Sequence, residues 1–145
     1  MRISHLAFEK IKSFEGCRLR AYQDAAGVWT IGYGHTRDVR RGDQITQFTA
    51  EEYLRMDIAE CVAQIETLGL ELTLPQLDAL VSFVFNLGIG RLRRSTLLRY
   101  IREGRSADAI KKQFRAWVYA GKPPRKLKGL VTRREWEANR FFEEY

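Results

Sequence analysis

From Gln76 to Leu87 the chain is apolar nearly all round, with Leu77, Leu80, Val81, Phe83, Val84, Phe85 and Leu87 leaving no broad polar face. A helix of that composition cannot lie on a surface and is expected to be the buried centre of a helical lobe. Its start is also legible. Thr73-Leu74-Pro75-Gln76 forms a capping box in which Gln76 reaches back, and Pro75 is tolerated in the first turn. The whole chain of 145 residues is one ordinary domain, able to bury roughly 68–70% of its unfolded surface and so to enclose such a helix.

The flanking segments read as further helices and one small sheet. Ser4 is a candidate N-cap, with Ile3 and Phe8 placed as a hydrophobic staple; Phe8, Ile11 and Phe14 recur at helical spacing until Gly16 ends the run. From residue 17 the period drops to two. Leu19 to Tyr22 and Trp29 to Gly34 alternate as strands around the turn 23–27, predicting a hairpin with room for a third short strand. Trp29, Ile31 and Tyr33 would face one way, while Thr30, Gly32 and Gly34 would leave the other face nearly bare backbone. A capping box at Thr49 to Glu52 predicts a linking helix over about 49–68. Ser95 and Ser106 cap two more helices, Pro123-Pro124 breaks the chain, and a last amphipathic helix runs from about Val131 to Phe142. The expected architecture is α+β, mainly helical and two-lobed, with a hairpin lobe over about 15–48 and a helical lobe made of 1–14 and 73–145. A ligand is expected in the cleft between the lobes.

Composition narrows the function classes. No run approaches the length of a membrane span, and 45% hydrophobic with 30% charged residues is the balance of a globular protein. The net charge of +7 is unevenly placed: 9 basic and 12 acidic residues up to position 90, then 16 basic and 6 acidic. A polyanionic partner is implied, either nucleic acid or an anionic polymer surface. Cys17 and Cys61 form no CxxC motif, and His5 and His35 are not at metal-ligand spacing. Two reduced thiols and no metal site are expected. Charges at Arg2, Glu9, Lys10 and Lys12 interrupt any signal-peptide core, which points to a protein held in the cytoplasm.

Three polar residues carry possible chemistry. Glu15 ends the first helix at the edge of its apolar stripe, Asp24 sits at the mouth of the hairpin turn, and Thr30 faces off the bare side of the hairpin. Two carboxylates in unlike surroundings can divide acid and base roles, as glycosidic hydrolysis requires. His35, after a Gly-Tyr-Gly strand, reads as a structural ion-pairing residue, and Trp29, Trp117 and Trp136 read as core. The basic run from Arg91 to Arg94 reads as a solvated face.

The block Phe14-Glu15-Gly16-x-Arg18-Leu19-x-Ala21-Tyr22-x-Asp24-x-x-Gly27-x-x-Thr30-Ile31-Gly32-Tyr33-Gly34-His35-Thr36 resembles the phage-type lysozymes, the endolysins of glycoside hydrolase family 24. Gln76 to Gly88, Ser95 to Leu98, and Arg133-Arg134-x-x-Glu137 are similar to later family segments in the same order. The resemblance implies a single lysozyme-like domain that cleaves the β-1,4 bond between N-acetylmuramic acid and N-acetylglucosamine of peptidoglycan. Glu15 would be the general acid, Asp24 the base or electrostatic stabiliser, and Thr30 the holder of the attacking water, with an inverting outcome. Asn86, Phe85, Thr36 and Thr96 would contact the sugar chain. One of Arg125, Lys126, Arg133 and Arg134 would orient Glu15. The resemblance further implies a monomer that needs no cofactor and no nucleic acid, meets glycan strands, and depends on a separate membrane-permeabilising protein for release. A lytic transglycosylase, a non-catalytic wall-binding module and a basic nucleic-acid-binding protein are the alternatives.

Overall fold

The computed structural model describes residues 1–145. The all-apolar segment is α3 (Leu74–Leu87), and eight consecutive positions, Leu77 to Val84, are buried. Both halves of the capping box are made: Thr73 Oγ1 accepts from the Gln76 amide at 3.3 Å, and Gln76 Oε1 accepts from the Thr73 amide at 3.0 Å. Around α3 pack α1 (His5–Glu15), α2 (Gln47–Glu66) and α7 (Lys128–Phe141). The short helices α4 (Ile89–Arg93), α5 (Thr96–Glu103) and α6 (Ala107–Arg115) extend this lobe.

Four N-caps read from sequence are present. Ser4, Thr73, Ser95 and Ser106 each accept a backbone N–H three residues on. The linking helix is different: it begins at Gln47, capped by Thr46, whose hydroxyl accepts from the Thr49 amide. Thr49 therefore lies inside the first turn, because a second hydroxyl three residues earlier offers the same bond one turn sooner. The last helix starts at Lys128, three residues before the expected Val131.

The hairpin joins β1 (Arg18–Gln23) to β2 (Trp29–Gly32), antiparallel, with Tyr22 opposite Thr30. The third strand is reduced to a bridge between Arg20 and Gln44, carried by the bonds Ala21 N–H to Asp43 O and Ile45 N–H to Leu19 O. The bare face is not open. At Gly32 a Cβ would stand 3.4 Å from both Ala50 and Ile45, so the missing side chain lets the start of α2 pack directly on the strand. A second, minimal hairpin, β3 (Tyr119–Ala120) with β4 (Arg125–Lys126), spans the Pro123-Pro124 turn.

Asp78 fixes α1 to this frame. Wholly buried on α3, it accepts from the Ser4 amide (2.8 Å) and hydroxyl (2.6 Å), and from Nε and Nη2 of Arg140 on α7 at 3.0 and 2.8 Å. Lys12 ties the same helix to α2 through Glu51 at 2.6 Å. The far end of α1, where Glu15 sits, is thereby set against the hairpin and α7.

Candidate active site

Glu15 is the last residue of α1, and Gly16 follows at φ +66°, a left-handed turn that suits glycine. Its side chain is 19% exposed, and its Oε2 accepts from Nη1 of Arg133 at 2.5 Å. Arg133 is thus the orienting cation among the four candidates. Arg134 turns inward to Glu137, while Arg125 and Lys126 are exposed on β4. The other nitrogens of Arg133 are occupied as well: Nε donates to Ser82 Oγ (3.1 Å) and Nη2 to the Ser82 carbonyl (3.0 Å). The carboxylate faces Gly34, where a Cβ would come within 2.8 Å of Glu15 Oε1. Gly34, at φ +76°, is the glycine that gives this acid its space.

Asp24 and Thr30 are joined through one residue. Asp24 Oδ1 accepts from the amides of Ala26 (2.8 Å) and Val28 (2.9 Å), while the Val28 carbonyl accepts from the Asp24 amide and the Thr30 hydroxyl, both at 2.9 Å. Asp24 is exposed, and its Oδ2 has no protein partner; Thr30 is buried. Because the Thr30 hydroxyl gives its proton to Val28, its oxygen is left as an acceptor. No direct hydrogen bond joins Glu15 to either residue.

The proposed sugar contacts separate. Phe85 and Thr36 line a concavity of about 280 Å³ together with Gly34, Arg37, Asp57 and Glu60. Asn86, on the last turn of α3, is half-buried and keeps an Oδ1 that is shielded from solvent and accepts no hydrogen bond. Thr96 is the exposed first residue of α5 and does not line the concavity.

His35 is structural, as expected: it is buried, its Nδ1 lies 2.8 Å from Asp57 Oδ2, and its ring stacks on Tyr53. None of the tryptophans is fully buried. Trp117 packs edge-on against Phe83 at the margin of the core, Trp136 meets Phe14 beside the site, and Trp29 is half-exposed on the hairpin. Both cysteines are free thiols, Cys17 exposed and Cys61 buried; burial pushes the Cys61 thiol up to about 12. Sequence reasoning missed the polar cluster beneath Arg133. Ser82 and Glu137 lie 55 positions apart, and nothing local pairs them.

The sequence profile of the phage lysozyme family matches residues 12–137. The endolysin of Acyrthosiphon pisum secondary endosymbiont phage 1 is 43% identical over 94% of this chain and 95% of its own length. The chain spans only 54% of the longer endolysins of Bacillus phages B103 and PZA. Among solved structures, the muramidase domain of SpmX from Asticaccaulis excentricus superposes with a TM-score of 0.90 at 38% identity, covering 99% of both chains. A P22 lysozyme does so with a TM-score of 0.83 at 34% identity, again over 99% of both. No helix is long and apolar enough to cross a membrane. With its N-terminal motif, its helix-wrapped core and these relatives in agreement, the chain belongs to the phage lysozyme family of peptidoglycan hydrolases.

Proposed function

We propose that the protein hydrolyses the β-1,4 bond between N-acetylmuramic acid and N-acetylglucosamine in peptidoglycan, with inversion at the anomeric carbon. The observation that carries this reading is the Glu15 carboxylate, oriented by Arg133 at one oxygen and given open space by Gly34 at the other. With Oε2 held by a donor, the catalytic proton sits on Oε1 and passes to the glycosidic oxygen as the bond breaks. Asp24 Oδ1 is fixed by two amides, which leaves Oδ2 to draw a proton from water or to stabilise the oxocarbenium-like transition state. Thr30 Oγ1 accepts a hydrogen bond from that water and so directs its lone pair at the sugar. Phe85 and Thr36 contact the glycan strand within the concavity they line, and Asn86 and Thr96 contact it outside that concavity. The protein acts as a monomer without a cofactor, on a cell wall it reaches from the host cytoplasm after another protein opens the membrane.

Proton NMR of the first-released sugar tests the reaction course. The α-anomer is expected from the β-linked substrate; initial β-anomer would contradict inversion, and a 1,6-anhydro product would assign a transglycosylase instead.

A further inference from the structure

Glu137 is wholly buried on α7, and its polar partners are all donors. Ser82 Oγ donates to its Oε2 at 2.5 Å, Arg134 Nη2 donates to the same oxygen at 2.9 Å, and Arg134 Nε lies 2.7 Å from Oε1 as an ion pair without hydrogen-bond alignment. The Ser82 hydroxyl has one proton, and since Arg133 Nε donates to its oxygen, that proton goes to Glu137. The chain of bonds is therefore directional: Arg133 to Ser82 to Glu137. Glu137 Oε2 also stands 3.6 Å from Arg133 Nε. One buried serine thus sits between two guanidinium groups, of Arg133 and Arg134, and two carboxyl groups, of Glu15 and Glu137.

Core stability alone does not require this arrangement, since a buried ionic cluster is often matched or exceeded by apolar residues of the same volume. What the cluster does is immobilise Arg133. Its Nε and Nη2 are both spent on Ser82, and its guanidinium lies 5.1 Å from the centre of the Phe14 ring, so Nη1 has one direction left, toward Glu15.

We propose that Glu137 and Ser82 are positioning residues of the reaction, which hold Arg133 in the one orientation that aligns the Glu15 carboxylate. The inference rests on the reading of Glu15 as the general acid.

Two variants, Ser82→Ala and Glu137→Gln, test it by two readouts. The first is steady-state kinetics on a soluble peptidoglycan fragment: kcat falls roughly 10- to 100-fold with KM little changed, because misplacement by a fraction of an ångström acts on the chemical step. The second is the ¹⁵N–¹H signal of Arg133 Nε, whose hydrogen exchange accelerates in both variants whether or not the enzyme is active. Where Glu137→Gln fails to fold, owing to the buried Arg134 it leaves behind, Ser82→Ala decides. A folded Ser82→Ala protein with wild-type kcat, or with an unchanged Arg133 Nε signal, overturns the proposal. Failure of the underlying reading looks different: Glu15→Gln would keep its activity while the Arg133 signal still responded to Ser82→Ala.

Discussion

Gly34→Ala separates the chemistry of the site from the stability of the fold. Gly34 has φ +76°, and an added methyl would meet Glu15 Oε1 at 2.8 Å, about 0.6 Å inside the 3.4 Å at which ordinary contact begins. An L-residue at this φ costs about 1 kcal/mol, or roughly 3 °C in Tm for a chain of this size. The steric overlap adds a different effect. Glu15 is the flexible partner and can yield, but only by leaving Arg133, so the overlap is relieved by moving the acid rather than by unfolding the protein. A displacement of this size is expected to lower kcat by roughly tenfold or more, since about 1 Å of misplacement can cost 10²-fold. Gly69→Ala is the matched control: φ there is +68° and nothing lies within 4 Å of the added carbon. Thermal melts and turbidity clearing of permeabilised Gram-negative cells should show similar Tm losses for the two variants and an activity loss for Gly34→Ala alone. Equal activities in the two would refute the argument that Gly34 exists to admit Glu15.

Other outcomes follow from the same structure. Asp78→Ala removes the acceptor shared by Ser4 and Arg140 and should cost about 3–5 kcal/mol, read as a Tm fall of roughly 10 °C by calorimetry. Cys61, raised from 9.0 to about 12, stays protonated in the folded protein when the unfolded chain has already lost its proton. Its contribution to stability therefore falls as pH rises above 9.0, and in the native protein a thiol reagent should label Cys17 rapidly and Cys61 only on unfolding, as counted by mass spectrometry. Adsorption by the basic second half of the chain should weaken with salt, so clearing of cells falls with ionic strength far more steeply than turnover of a short soluble peptidoglycan fragment.

What could be read in the sequence was what depends on near neighbours. Ser4, Thr73, Ser95 and Ser106 were legible as caps because each bond spans three residues. Thr49 reads as a cap because Glu52 stands three residues on, but the bond is made by Thr46, which carries no such local signature. The helix α4 was missed because Gly88, at φ +88°, precedes it with no capping side chain, and β3–β4 because strands of two residues carry no alternation. Closure of the bare hairpin face by Ala50 is a tertiary fact that glycine spacing alone does not announce. Glu15, Asp24 and Thr30 stood out as polar residues in the sequence, and the resemblance of the block from Phe14 to Thr36 to the phage-type lysozymes made them the candidate acid, base and water holder. Their link through the Val28 peptide needed coordinates. So did the choice of Arg133 over Arg134: adjacent on one helix, they point about 100° apart, and only packing against Ser82 decides which one reaches across 118 positions to Glu15.

The most direct test of the central claim is the clearing rate of Glu15→Gln, measured beside its circular dichroism and Tm. Glutamine keeps the shape and can still accept from Arg133, but it has no acidic proton to transfer. The account predicts a loss of roughly 10²–10⁴-fold in a protein that remains folded; a folded variant that clears cells at the wild-type rate would contradict it.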